Sequence, residues 1–269
     1  MNYRVLLGVL VALALLGWAA GTPPFIKGDE HSTELLCQHD GSGEEIAWRH
    51  VHDGDTLILA DGRKVRVIGY NAPELARSGH DGDPFANEAT IAARTFLRNS
   101  STIVLQPGVE ARDRHGRYLA HVFRPGDGAS LAAHLLAQGL AWQIAVPPNL
   151  GYLECNRAAE GKARAEGRGL WSSQYLDSAV SAEPRAGFRV LSGRVERVSL
   201  NKSWWLETDA GFVVRIPAAD HGLFERREIE RLPGRAFEVR GWMYHRSARP
   251  PYSPWVLLLR HPSALRLLD

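Results

Sequence analysis

Apolar and polar positions alternate along residues 47–67, the pattern of strands that keep one face in a core. The run is AWRHVHDGDTLIL, then a turn at ADGRK around Asp61-Gly62, then VRVIGY. The period changes in DPFANEATIAARTFLRNSS (83–101), where Phe85, Ala89, Ala92, Ala93, Phe96 and Leu97 recur at helical intervals. TIVLQPGVEA and RYLAHVF read as strands on either side of the tight segment RDRHGR (112–117). SLAAHLLAQGLA (130–141) predicts a helix capped by Ser130 with Gly139 near its end. LGYLECNRAAEGKARAEGRGLW (150–171) predicts a second, closing at Gly167–Gly169. Strands first, then helices on a small antiparallel sheet, make this part α+β.

SSQYLDSAVSAEPRAG (172–187) has no period and reads as a linker. Beyond it FRVLSGRVERVSL, WWLETDAGFVVRIP, RAFEVRGWMYHR and PWVLLLR alternate again and predict a second small all-β barrel over 188–269, ending in HPSALRLL. No internal repeat is visible. At the other end, MNYRVLLGVLVALALLGWAAG (1–21) pairs one arginine with an apolar run that ends in small residues. That is the form of a cleavable signal peptide, or of a retained N-terminal membrane anchor. Either places the rest of the chain, from the polar extension 22–45 onward, outside the cytoplasm, periplasmic or secreted.

Composition changes this picture in two places. The net charge is only +2, but residues 185–269 hold 15 Lys/Arg against 9 Asp/Glu, which points the C-terminal part toward an anionic partner. The only cysteines are Cys37 and Cys155. In an oxidising compartment they can form a disulfide between the extension and a later helix, the alternative being two buried thiols. Two cysteines without paired histidines cannot build a structural zinc site.

Four pieces carry candidate chemistry. DGDT (53–56) sets Asp53 and Asp55 around a glycine, where a plain polar turn is the competing reading. Arg66 stands in an otherwise apolar strand, where a guanidinium is costly unless it is paired, lines a site or snorkels to water. Glu74 follows Pro73, which fixes the backbone before it. DRHGR (113–117) places Arg114, His115 and Arg117 in a tight turn between strands. Acidic oxygens for a hard cation, a spare carboxylate and two guanidinium forks are the inventory for hydrolysing a phosphodiester.

VHDGDTLIL, VRVIGYNAPE, DRHGRYLAHV, LLAQGLA and AEGKARAEGRGLW occur in the order of the staphylococcal-nuclease-like (thermonuclease) family, which the chain resembles over residues 46–172. The resemblance implies a five-stranded OB-fold barrel with packed helices. It also implies calcium-dependent hydrolysis of DNA and RNA to 3′-phosphate products by a monomer. By position it makes Asp55 the principal Ca2+ carboxylate, with Asn71 and the Ala72 backbone carbonyl as further ligands and Asp53 behind them. Glu74 matches the general base, and Arg66 and Arg117 the two phosphate-binding arginines.

Two features depart from that family's pattern. Asn71 stands where a second aspartate is usual, so the metal site loses a charge. AWQIAVPPN (141–149) lacks the nucleotide-contacting tyrosines, leaving Trp142 either to stack on a base or to pack in the core. The C-terminal part resembles an OB-fold nucleic-acid-binding domain more loosely. Its Trp204, Trp205, Trp242 and Tyr244 offer a stacking platform, unless alternation turns half of them inward. The competing function is a non-catalytic nucleic-acid- or partner-binding module built on two barrels.

Overall fold

The alternating run of residues 47–59 is broken at Gly54. Strand β1 (Glu44–Asp53) turns there into β2 (Thr56–Leu59), its antiparallel neighbour. A Cβ at Gly54 would lie 2.6 Å from the Ala72 Cβ and 2.9 Å from the Ala89 Cβ. Glycine therefore lets this turn sit against its neighbours, and the close approach fixes where Asp55 points.

The computed structural model describes residues 37–79, 81–173, 185–248 and 253–268. The apolar leader, most of the extension and most of the linker lie outside the described residues. After β2 come β3 (Lys64–Val67), β4 (Tyr70–Asn71), α1 (Ala86–Leu97), β5 (Thr102–Arg112), β6 (Tyr118–Phe123), α2 (Leu131–Ala137), β7 (Trp142–Gln143) and α3 (Leu153–Ala165). The barrel closes in the order β1-β2-β3-β6-β5, with β3 parallel to β6, and β4 pairs separately with β7. This is an α+β OB-like barrel. Its core joins Val51, Leu57, Leu59, Val65 and Val67 to Ala89, Ala93 and Leu97 of α1 and Leu135 and Leu136 of α2. Ser130 caps α2, its hydroxyl accepting from the Ala133 N–H at 3.3 Å. The Cys37–Cys155 disulfide ties the first described residue to α3.

The C-terminal part comprises β8 (Gly187–Leu200), β9 (Trp204–Thr208), β10 (Val213–Ile216), α4 (Arg226–Glu230), β11 (Ala236–His245), β12 (Trp255–Leu258) and β13 (Leu265–Leu267). Strands β8-β9-β10-β12-β11 form a second closed ring, again with its third and fifth strands parallel, and β13 extends it from β11. The two barrels thus share one topology although no repeat is visible in the sequence. Topology depends on where apolar faces fall, not on which apolar residues form them.

The barrels meet at a mixed junction. Trp142, Ala163, Leu170 and Trp171 pack with Phe188 and Val190 of β8. Beside them Arg240 of β11 holds both carboxylate oxygens of Glu160 on α3 at 2.6 Å, and Glu238 pairs with Arg164. Arg164 and Arg240 also lie over the Trp171 ring, 4.4 and 5.4 Å from its centroid.

His121 of β6 is buried beside Gly151 and Tyr152, and burial lowers its pKa to about 4. The folded protein therefore holds it neutral while the unfolded chain protonates it near pH 6.5. Its contribution is complete above pH 6.5 and is lost as the pH falls toward 4, about 3 kcal/mol in all. Urea unfolding of the parent and of His121→Asn between pH 7 and 4 should show a shallower acid loss in the variant. Equal slopes would remove His121 from the acid transition.

Candidate active site

The site begins with a charge that the sheet cannot leave exposed. Arg66 sits in β3 between Val65 and Val67 and is only 8% exposed. One terminal nitrogen donates to the carbonyls of Val67 at 2.6 Å and Tyr70 at 3.0 Å. The other reaches Asn71 Oδ1 at 3.0 Å and Asp55 Oδ2 at 3.0 Å. Asp55 Oδ2 also accepts the Ala72 N–H at 3.0 Å, and Asp55 Oδ1 accepts the Thr56 hydroxyl. Asn71 in turn donates to the Ala72 carbonyl at 3.2 Å.

Asp55, Arg66, Asn71 and Ala72 therefore form one buried cluster at the end of the barrel. Burial pushes the Asp55 carboxyl above its ordinary range, against the pull of Arg66, and the nearby Asp53 adds to the rise. Asp53 stands behind, its Oδ1 accepting the Asp55 N–H at 3.1 Å. Tyr70, absent from the sequence-level site, braces the turn by donating its hydroxyl to the Gly54 carbonyl at 2.9 Å. A tyrosine directly after Gly69, at the end of the apolar run VRVIGY, is the only signal the sequence holds for it.

Glu74 and Arg117 are held by partners outside this cluster. Glu74 is about half exposed and pairs with Arg77 on its own loop. That loop is closed by Asp83, which accepts the Glu74 N–H and donates its own N–H to the Glu74 carbonyl at 2.8 Å. Arg117 donates its Nε–H to Asp113 at 2.6 Å within the turn between β5 and β6. Burial opposes ionisation of Asp113, but hydrogen bonds from Arg117 and from the His115 and Arg117 backbone hold its pKa below the ordinary value. Arg114 and His115 lie exposed at the tip of that turn, bonded to each other at 3.1 Å. Asn149 anchors the base of the hairpin, its side chain bonding both the N–H and the carbonyl of Glu110 at 2.9 Å.

The aromatic candidates fare differently. Trp142 is buried at the junction against Phe188, their centroids 5.3 Å apart, so it packs between the barrels instead of presenting a face for a base. Trp204 points into the second core and stacks on His221 at 4.2 Å. Trp242 leans on Phe188. Tyr244 is half-buried on β11, and Trp205 lies beneath two arginines. Strand alternation places Trp204 and Trp205 on opposite faces.

The donors around Asp55 are all oxygens: one carboxylate, the Asn71 amide and the Ala72 carbonyl. Such a set suits a hard divalent cation, held less tightly than by two carboxylates. Among the described residues no three His, Cys, Asp or Glu side chains are grouped for a metal.

Residues 64–173 match the family model described as Staphylococcal nuclease homologue. Strands β1 and β2, with the turn between them, carry Asp53 and Asp55, precede the matched residues and complete the barrel. A protein of Verticillium alfalfae named Probable endonuclease LCL3 is 27% identical over 178 residues, covering 62% of this chain and 61% of that protein. Proteins of the same name from Pyrenophora tritici-repentis and Schizophyllum commune are 26% and 31% identical, over 52% and 40% of this chain. The chain spans about three fifths or less of the length of these relatives.

Replacing Arg66 by methionine keeps the strand but leaves the Asp55 carboxylate buried without its cation. In chelator at neutral pH the variant should lose about 3 kcal/mol of stability. Chemical denaturation that finds the variant as stable as the parent would mean that Arg66 is not the group that compensates Asp55.

Proposed function

We propose, from the match of residues 64–173 to the staphylococcal nuclease homologue model, that the protein is a nuclease that hydrolyses DNA and RNA phosphodiester bonds with calcium, leaving 3′-phosphate ends. The observation that carries this reading is the convergence of Asp55, Arg66, Asn71 and the Ala72 carbonyl at one end of the barrel.

Asp55, Asn71 and the Ala72 carbonyl would hold the cation, which when bound neutralises charge on the phosphate. Glu74, on a loop open to solvent, orients and deprotonates the attacking water. Arg117 answers the charge that grows on the phosphoryl oxygens, and Arg66 supports it from the strand side. Both pairs must open for this, Glu74 from Arg77 and Arg117 from Asp113. The exposed Glu74–Arg77 pair contributes about 0–1 kcal/mol and opens at little cost, while at the half-buried Arg117 a phosphate takes the place of the Asp113 carboxylate. The leader and the Cys37–Cys155 disulfide support a place outside the cytoplasm, by export or by an N-terminal anchor.

A second reading, binding without cleavage, is favoured by one observation: both terminal nitrogens of Arg66 are engaged within the protein. Glu74→Gln and Arg117→Ala decide between the two, because both side chains lie near the surface and neither braces the core. Each should lower cleavage of single-stranded DNA in calcium by about a hundredfold or more. If the parent binds DNA but cleaves it in no divalent metal, the binding module is correct.

Asn71 generates a separate expectation. Asn71→Asp restores the second carboxylate and should tighten calcium binding by about tenfold, measured by titration calorimetry without substrate. Unchanged affinity would remove Asn71 from the metal site.

A further inference from the structure

The second barrel has a cleft that the hydrolase site does not use. It encloses 670 Å³ and is lined by Arg197 and Ser199 of β8, Trp205 and Glu207 of β9, and Arg246 just after β11. Arg246 lies over the Trp205 ring at 4.6 Å from its centroid, and Arg215 of β10 at 5.6 Å. Arg197 is paired with Glu207 at 2.7 Å. Among the described residues that line it, two guanidiniums, Arg197 and Arg246, face one carboxylate, Glu207, and Arg215 adds a third positive charge beside Trp205.

Both Arg215 and Arg246 bury an Nε–H that finds no acceptor among the described residues, while a terminal nitrogen of Arg215 donates to the Ser203 hydroxyl at 3.3 Å. A buried donor without a partner is costly, and an oxygen that reaches it recovers that cost. The Nε edge of a guanidinium, with its adjoining terminal nitrogen, is the fork that fits a phosphate. Guanidiniums stacked on an indole also present flat surfaces on which bases stack.

We propose that this cleft, framed by Arg197, Trp205, Arg215 and Arg246, binds single-stranded nucleic acid at a site separate from the Asp55 cluster. Two requirements of such a ligand coincide there: phosphate forks, and a flat cationic–aromatic surface. The site does not include Trp204, which is core. It rests on none of the hydrolase residues, so either proposal can fail alone.

The test uses the full chain carrying Glu74→Gln, in chelator, with a fluorescent single-stranded DNA recovered intact at the end. Arg246→Ala and Trp205→Leu should each weaken binding by about tenfold. Arg246→Ala should also flatten the dependence of log affinity on log salt by about 0.7. Thermal melting checks that each variant is folded, and Arg197→Ala, which removes a surface arm of the same cleft, gives an independent reading. Cleavage of a minimal dinucleotide by the same variants with Glu74 restored should match the parent. Unchanged affinity and salt slope in folded Arg246→Ala and Arg197→Ala would overturn the site. Equal affinity for polyglutamate would overturn it in favour of an acidic peptide. Complete displacement by millimolar inorganic phosphate, with no gain from longer strands, would overturn it in favour of a small anion.

Discussion

A guanidinium buried inside a barrel needs acceptors, and the two terminal nitrogens of Arg66 find four, drawn from β3, β4 and the turn between β1 and β2. That requirement pulls β4 back over the end of β3 and fixes the carbonyl of Tyr70 and the amide of Asn71. It also holds Asp55 at the mouth of the β1–β2 turn. The geometry that could bind a cation is thus a consequence of compensating one arginine. Gly54 and Tyr70 complete it from the other side, one by leaving space and the other by donating to the turn's carbonyl.

The second barrel is coupled to this arrangement by a short chain of contacts. Arg240 holds Glu160, and Glu160 accepts the Gln143 N–H at 2.7 Å. Gln143 and Trp142 form β7, whose partners in β4 are Tyr70 and Asn71. A buried pair such as Arg240–Glu160 adds little net stability over an apolar substitute, but losing one partner is expensive. It therefore acts mainly to fix register and orientation between the two barrels. Trp142 is part of the same junction, which explains why a tryptophan at that point of the chain packs inward.

Much of this was legible before any coordinates. The helical spacing from Phe85 to Leu97, the Ser130 cap and the strand runs of both barrels follow from periodicity, because burial of one face imposes a repeat on the residues. Asp55, Arg66, Asn71 and Ala72 were identifiable because their motifs stand in a fixed order. The pairings Glu74–Arg77 and Arg117–Asp113 were not singled out, since short spacings in loops are common and carry no geometry. Tyr70, Glu160 and Arg240 were invisible as a group: 170 residues separate Tyr70 from Arg240 in sequence, and nothing local marks a long-range contact. Of the four aromatics expected on one platform, alternation sent Trp204 to the core and Trp205 to the cleft, and Trp242 leans on the junction.

The sequence by itself determined the elements, the α+β class, the two all-but-separate apolar cores and the residue types available for phosphodiester chemistry. These are local or periodic properties, written in neighbouring residues. Only the tertiary structure decided that the two barrels share a topology, that Cys37 meets Cys155, and that Asn71 answers to Arg66 as well as to the Ala72 carbonyl. It also decided that two guanidiniums, each with a buried Nε–H that has no acceptor among the described residues, lie over one indole in the second barrel. Such facts depend on which strands close against which. Closure is set by the sum of many weak apolar contacts over the whole chain, and no single motif records it.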